Sequence, residues 1–222
     1  MTAADEDRYA ERVHRLCVPI ALRPGGRVWI GPLLPDDRDL LSREYATLSP
    51  ESKWNRFLAA VPELTPSMLD QLVDEVDGVD HVALVAFLET QAGPVPAGVG
   101  RLVRYPDHPG AADMAFTVKD EYQGRGIATA LARSLVARAP KGVTRILTEV
   151  AHGNLAPLAI LGKLGSMQVF QSSEGVVDVE VKLAGHEEDS AAESTCLHRR
   201  PGIPSPAHPR LDAQHHGLPP TA

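Results

Sequence analysis

Hydrophobic positions change period along this chain, and the changes mark out its elements. Arg27-Val28-Trp29-Ile30-Gly31-Pro32-Leu33 is rich in β-branched and aromatic residues and ends at a proline, which predicts a strand. Leu40, Leu41, Tyr45 and Leu48 then recur at helical spacing. Pro35-Asp36-Asp37 ahead of them supplies a first-turn proline and acids at the positive dipole end, so a helix is expected through Thr47. Ser49-Pro50 and Thr65-Pro66 are two further helix starts, each a capping residue followed by proline. Leu64, Met68, Leu69, Leu72 and Val73 give the second of these an apolar face. Strands follow over 81–90, 95–105 and 111–118, divided by Gln91-Ala92-Gly93-Pro94 and Pro106-Asp107-His108-Pro109-Gly110. A helix is expected at 124–138, a strand at 143–150 and a helix at 154–164. A hairpin of 169–171 with 176–181 closes the order across Ser172-Ser173-Glu174-Gly175. This order predicts an α+β domain with a mixed, mostly antiparallel sheet, one parallel crossover and flanking helices.

The flanks read differently. Residues 1–26 are polar, are broken by Arg23-Pro24-Gly25-Gly26, and read as an N-terminal arm. Within them Leu16, Val18, Ile20 and Leu22 offer a short helix end or an added strand. Residues 184–222 hold few large apolar side chains but five of the nine histidines and six of the nineteen prolines. Such a stretch buries too little surface to offset its ordering entropy and is expected to be a disordered tail. One domain, 27–183, is expected between arm and tail.

Composition narrows the classes. Aromatic residues make up only 5% of the chain, so the core must rest on Val, Leu, Ile and Ala. The longest apolar run, Val82 to Leu88, is far shorter than the ~20 residues of a spanning helix, so no membrane partner is expected. The acidic N-terminus has no apolar signal region, and two cysteines, Cys17 and Cys196, cannot make a disulfide scaffold. Both features point to the cytoplasm. A net charge of −7 argues against nucleic-acid binding and suits a cationic acceptor. The tail histidines lack the spacing and support of a metal site, so no metal is expected.

The segment that carries chemistry lies where period two gives way to period 3.6. A strand ends near Val118, and Gln123-Gly124-Arg125-Gly126-Ile127-Ala128-Thr129 opens a helix. The glycines let a ligand approach the backbone. The first-turn N–H groups have no partner within the helix, which makes an anion site suited to a pyrophosphate. Arg125 and Lys119 are placed to add charge-assisted contacts. A Walker A loop is excluded, since Gly162-Lys163 is followed by Leu164. A dinucleotide fingerprint is the weaker competitor. Glu149 lies near its ~20-residue spacing, but Thr129 replaces the third small residue and Lys119 to Gln123 separate strand from glycines.

Gln123-Gly124-Arg125-Gly126-Ile127-Ala128, behind a strand of the form Ala-acid-x-Ala-Phe-x-Val, resembles the Gln/Arg-x-x-Gly-x-Gly/Ala motif of the GNAT N-acetyltransferase superfamily. Asn154 and Leu164-Gly165 extend the likeness, which covers about 27–183. Leu48-Ser49-Pro50-Glu51-Ser52-x-Trp54-x-Arg56-Phe57 makes the chain most similar to the acetyltransferase domain of bacterial protein lysine acetyltransferases, including the cyclic-AMP-regulated ones. The twenty-six residues before Arg27 are too few for the nucleotide-binding domain of that regulated type.

The resemblance implies a GNAT fold whose sheet splays after Val118 to admit acetyl-CoA. It implies that backbone groups of Phe116, Thr117 and Val118 pair with the pantetheine arm, and that Gln123 to Thr129 cradle the pyrophosphate. Val118 N–H would stabilise the oxyanion, and Asn154 would bind the pantetheine from the other side. Asp113 and Glu149 are the candidate bases for the acceptor amine, with a pair to Arg145 or Arg101 as the structural alternative for either. The implied activity is acetyl transfer to an amine, a protein lysine or a small molecule. Leu161 stands where many members have the Tyr that protonates the thiolate, which leaves an inactive CoA-binding module as the reading of another class. The exposed edges of such a sheet make a homodimer plausible.

Overall fold

The computed structural model describes residues 3–23, 25–171 and 175–185. The expected tail from residue 186 onward, and the turn residues 172–174, lie outside them. The elements are α1 (Ala3–Leu16), β1 (Val18–Ala21), β2 (Arg27–Pro32), α2 (Arg38–Ala46), α3 (Pro50–Phe57), α4 (Pro66–Leu69), β3 (His81–Thr90), β4 (Gly93–Tyr105), β5 (His108–Val118), α5 (Ile127–Val136), β6 (Arg145–Ala151), α6 (Leu155–Leu161), β7 (Gly165–Gln171) and β8 (Val176–Leu183). The eight strands form one sheet in the order β1-β2-β3-β4-β5-β6-β8-β7. Every neighbouring pair is antiparallel except β5 with β6, the crossover that encloses α5.

Two layers of helices cover the sheet. On one face Ile127, Leu131 and Leu135 of α5 and Leu161 of α6 pack on Ala86, Leu102, Met114, Ile146 and Val181. On the other face α1 to α4 bring Val13, Tyr45, Phe57 and Met68 onto Ala83, Val85 and Phe87. Strand β3 is therefore buried on both sides, which is why Val82 to Leu88 reads as an unbroken apolar run instead of an alternating one. Gly165 is dictated by packing. A Cβ there would sit 1.9 Å from the Lys182 carbonyl oxygen, so no larger residue can begin β7 against β8.

The N-terminal arm holds a helix and the added strand that Val18 and Ile20 offered. Residues 3–21 pack on the domain: β1 pairs with β2 from Val18↔Ile30 to Ala21↔Arg27, and Arg12 forms an ion pair with Asp37. The inward stripe of α1 is Tyr9, Val13 and Cys17, at i, i+4 and i+8. That stripe is too sparse to stand out in an otherwise polar segment. Cys17 is half-buried there, and burial pushes its thiol up to about 11. The helix expected beyond Thr65 is also shorter. It ends at Leu69 and continues as a π turn over Asp70–Asp74, with Arg38 gathering Asp70, Asp74 and the Pro66 carbonyl. Helices α5 and α6 begin at Ile127 and Leu155, later than expected, because Gly124–Gly126 and Asn154 form their approaches.

The splay point moves as well. The expected parting after Val118 occurs six residues earlier, since β5 and β6 pair only at Ala111↔Arg145 and Ala112↔Ile146. Beyond that β6 follows β8, with which it forms seven pairs. Two positions further along the parallel register the Thr148 hydroxyl donates to the Met114 carbonyl at 3.1 Å, a side chain bridging strands whose ladder has ended.

Candidate active site

The turn from β5 into α5 has the glycine-rich backbone form expected. Strand β5 runs into a 3₁₀ turn, Asp120–Tyr122, and the chain passes through Gly124 (φ +73°) and Gly126 (φ +86°) into α5. Gly126 is the N-cap, in the left-handed region that an L side chain rarely adopts. The first helical hydrogen bond is Ala130 N–H to Gly126 O at 3.0 Å, so the amides of Ile127, Ala128 and Thr129 precede the ladder, and no side chain caps them. They line a cleft of about 1550 Å³, counted out to its solvent mouth, together with Ser52, Asn55, Arg56, Asn154 and Lys163.

The neighbours of this nest are more specific than the sequence reading. Gln123 is a brace: its side-chain N–H donates to Val118 O at 3.2 Å and to Ser52 Oγ at 3.3 Å. Asp120 accepts from Ser49 N–H (3.0 Å), Ser49 Oγ (2.9 Å) and Ser52 Oγ (2.7 Å). Burial alone would raise the Asp120 carboxyl, but these donors outweigh it and hold the group below the usual carboxylate range. The start of α3 is thereby tied to the loop. Lys119 does not reach the nest. Glu44 (2.9 Å) and Glu121 (3.2 Å) hold its ammonium; burial would lower its pKa, but these two acids raise it overall. Arg125 is exposed and lies over the Tyr122 ring, 5.5 Å from its centroid.

Strand parity sorts the three residues expected to meet pantetheine. Lys119 N–H donates to Ala97 O across β4 at 2.9 Å, and the antiparallel register runs Thr117↔Val99 and Ala115↔Arg101. In such a ladder alternate residues bond to one side, so Thr117 spends its backbone on β4. The backbone groups of Phe116 and Val118 face the open side, where β6 has left. The Thr117 side chain instead points to the α2/α3 face.

The notch between β5 and β6, about 420 Å³, is lined by Ala115, Phe116, Thr148, Glu149, Asn154 and Leu161 among others. Glu149 is half-buried on its wall and Asn154 half-buried at the head of α6. Leu161, 1% exposed, places an aliphatic wall where a phenol would be the proton donor.

Asp113 occupies a different environment. It is fully buried (0% exposed), and its charge supports that of Arg56, itself 7% exposed. Burial pulls the Arg56 guanidinium down to about 10, and Asp113 is the first group opposing that fall. Of the partners considered in the sequence, Arg145 is 3.7 Å from Glu180, and Arg101 contacts His81 Nε2 at 3.0 Å and donates to Leu72 O at 3.1 Å. Burial first, and then Arg101, hold His81 down to about 4, so it is neutral near pH 7. Arg56 was quoted in the sequence only for the likeness and not as a candidate site residue, yet it lines the cleft. Its signal was helical spacing within α3, since Ser52, Asn55 and Arg56 share one face on the cleft. His152 is exposed at the turn after β6. Among the described residues no three His, Cys, Asp or Glu side chains gather as a metal site, and no helix is long and apolar enough to cross a membrane.

The arrangement offers a strand edge for an extended ligand, an amide nest for a diphosphate at one end, and carboxylates at the parting of the strands. Residues 27–167 match the acetyltransferase (GNAT) domain family. The chain is 36% identical over 165 residues to acetyltransferase Pat of Mycolicibacterium smegmatis, covering 74% of this chain and 48% of that protein. The GNAT domain of S. lividans PAT superposes with a TM-score of 0.66 at 31% identity, over 75% of this chain and 97% of that one. A cAMP-binding acyltransferase from Mycobacterium smegmatis superposes with a TM-score of 0.51 at 28% identity, over 82% of this chain and 54% of that one. The chain thus spans about half the length of the full-length relatives it matches.

Proposed function

This chain belongs to the acetyltransferase (GNAT) domain family, and from that premise we propose that it transfers an acetyl group from acetyl-CoA to an amine, a lysine side chain of a protein. One observation carries the reading: the only parallel pair of the described sheet parts at Ala112↔Ile146, and the gap it opens leads to the uncapped amides of α5. Such a gap accepts an extended arm as an added strand, and the amides accept a pyrophosphate. The lysine acceptor rests on the likeness to the Pat relatives.

In this reading Phe116 and Val118 hold the pantetheine by backbone bonds, and Asn154 closes on it from the head of α6. The acceptor ammonium, of pKa near 10.4 in water, must lose a proton before it can attack. Glu149, on the notch wall, receives that proton directly or through water. The amine nitrogen then bonds to the thioester carbonyl carbon, with Val118 N–H donating to the developing oxyanion. The carbon–sulfur bond breaks and CoA departs as a thiolate, whose ordinary pKa near 8.5 lets it leave without a phenol at position 161. Asp113, sealed behind Arg56, supports this wall electrostatically.

Free-thiol release from acetyl-CoA, measured with lysine peptides and a panel of small amines, tests the proposal. Wild type should turn over with peptide, and Glu149→Gln should lose at least about ten-fold in kcat/KM. The buried Leu161 favours one second reading, a CoA-binding module. Tight acetyl-CoA binding without turnover on any acceptor would establish that reading instead. Binding of NAD(H) but not of CoA would overturn both.

A further inference from the structure

A second cavity, about 660 Å³ counted to its mouth, lies between the sheet and helices α2 and α3. Its walls are aliphatic and aromatic: Leu33, Leu40, Leu41, Phe57, Leu72 and Val99 among them. It meets the CoA cleft at Thr117 and Arg56, which line both. Thr117 is also the β5 residue whose side chain faces away from α5, beside the two whose backbones face the notch. The notch and the cavity have Arg56 in common in their linings.

The polar groups around the cavity decide what it can hold. Asp37 is taken by Arg12 and by Leu34 N–H at 2.9 Å, and Glu44 by Lys119 at 2.9 Å. Arg56 and Arg101 are both buried at its inner end. An ammonium entering would be repelled by these two guanidinium groups and would find both acids spent. A carboxylate fares no better, since Arg101 gives its donors to His81 and Leu72 and Arg56 faces the charge of Asp113. The occupant that costs nothing electrostatically is uncharged and apolar.

We propose that this cavity receives the acyl chain of CoA thioesters longer than acetyl, so that the enzyme binds and transfers medium-length unbranched acyl groups. The inference rests on the transferase reading above. Hexanoyl-CoA carries four more methylenes than acetyl-CoA; buried here, they should tighten binding by at least about ten-fold after the ordering of the chain is deducted.

The test is equilibrium binding of CoA, acetyl-CoA, hexanoyl-CoA and succinyl-CoA by calorimetry, which needs no turnover. Val99→Phe narrows the cavity from β4 and Leu41→Phe from α2. Neither residue touches the amide nest, so CoA affinity reports that each variant is folded. Hexanoyl-CoA should bind wild type tightest, and each variant should lose at least about five-fold for hexanoyl-CoA with less than about two-fold change for acetyl-CoA. Equal affinities for acetyl- and hexanoyl-CoA, preference for succinyl-CoA, or retention of the hexanoyl preference in both variants would overturn the proposal while leaving the transferase reading intact. Failure of CoA itself to bind would overturn the transferase reading, and this one with it.

Discussion

Replacing Arg56 by methionine removes the buried cation that faces Asp113. Asp113 is 0% exposed and Arg56 7%, so neither charge can be handed to solvent when its partner goes. Breaking a buried ion pair from one side costs roughly 3–5 kcal/mol, because the remaining charge is left uncompensated. In a domain of this size each kcal/mol moves Tm by about 2–4 °C, so a fall of roughly 6–20 °C is expected near neutral pH. The sign of the pH dependence follows from Asp113. In the variant its buried carboxyl loses the Arg56 charge, so the folded state is expected to retain its proton to higher pH than the unfolded chain does, where the group ionises near 3.9. The folded state then binds the extra proton, and stability falls as pH rises above about 4. The loss relative to wild type should therefore be small near pH 4.5 and large near pH 7.5. Arg56→Met/Asp113→Asn removes both charges and should recover most of the stability. The assay is thermal unfolding followed by circular dichroism for wild type, both single variants and the double variant at the two pH values. A loss under about 1 kcal/mol, a loss equal at both pH values, or single-variant losses that simply add in the double variant would refute the pair.

Three further outcomes are expected. Gly126→Ala should cost about 1–2 kcal/mol in urea unfolding from the φ of +86° alone, since the nearest atom to an added Cβ is Arg23 O at 3.8 Å; Gly126→Glu should in addition weaken CoA binding by calorimetry at least about ten-fold, and unchanged affinity would show that the amides of α5 do not hold the pyrophosphate. Thr148→Val leaves the buried Met114 carbonyl without its 3.1 Å donor and should cost about 1–3 kcal/mol, whereas Thr148→Ser should cost less than half as much; equal losses in chemical unfolding would show that the hydroxyl does not hold the splay. His81, lowered from 6.5 to about 4 by burial and by Arg101, takes up its proton in the unfolded chain first, so the stability it permits is full above pH 6.5 and is lost as pH falls toward 4; His81→Gln should flatten the difference in unfolding free energy between about pH 7 and pH 4.5 by about 2–3 kcal/mol, and an unchanged difference would contradict the assignment.

Much of the fold was legible because it depends on local pattern. Proline after a capping residue starts α3 and α4, and glycine between a period-two and a period-3.6 segment starts α5. What was not legible depends on partners distant in sequence. The stripe Tyr9–Val13–Cys17 becomes an inner face only when Phe87 is there to meet it, edge to face at 5.7 Å. The parting of β5 from β6 is set by β8, which holds β6 through seven pairs and leads it away. Residues 111–118 and 143–150 contain nothing that reports this competition.

The site shows the same division. Lys119 and Thr117 adjoin the nest and the pantetheine edge in sequence, but the structure turns both toward β4 and α2. In a strand, adjacency means opposite faces and opposite hydrogen-bonding sides. Counting by twos from Asp113 places Ala115, Thr117 and Lys119 together on the face of Arg56 and Arg101, and Met114, Phe116 and Val118 together at the notch and on α5. That parity was readable from the alternation of β5. It also separates the roles of the two carboxylates. Asp113 lies on the buried, charged face beside Arg56. Glu149 lies across the gap on the strand that has swung away, half-buried on the open wall. A base must be reached by the amine before its basicity matters, so parity and the early parting together favour Glu149 on β6 over Asp113 as the proposed base.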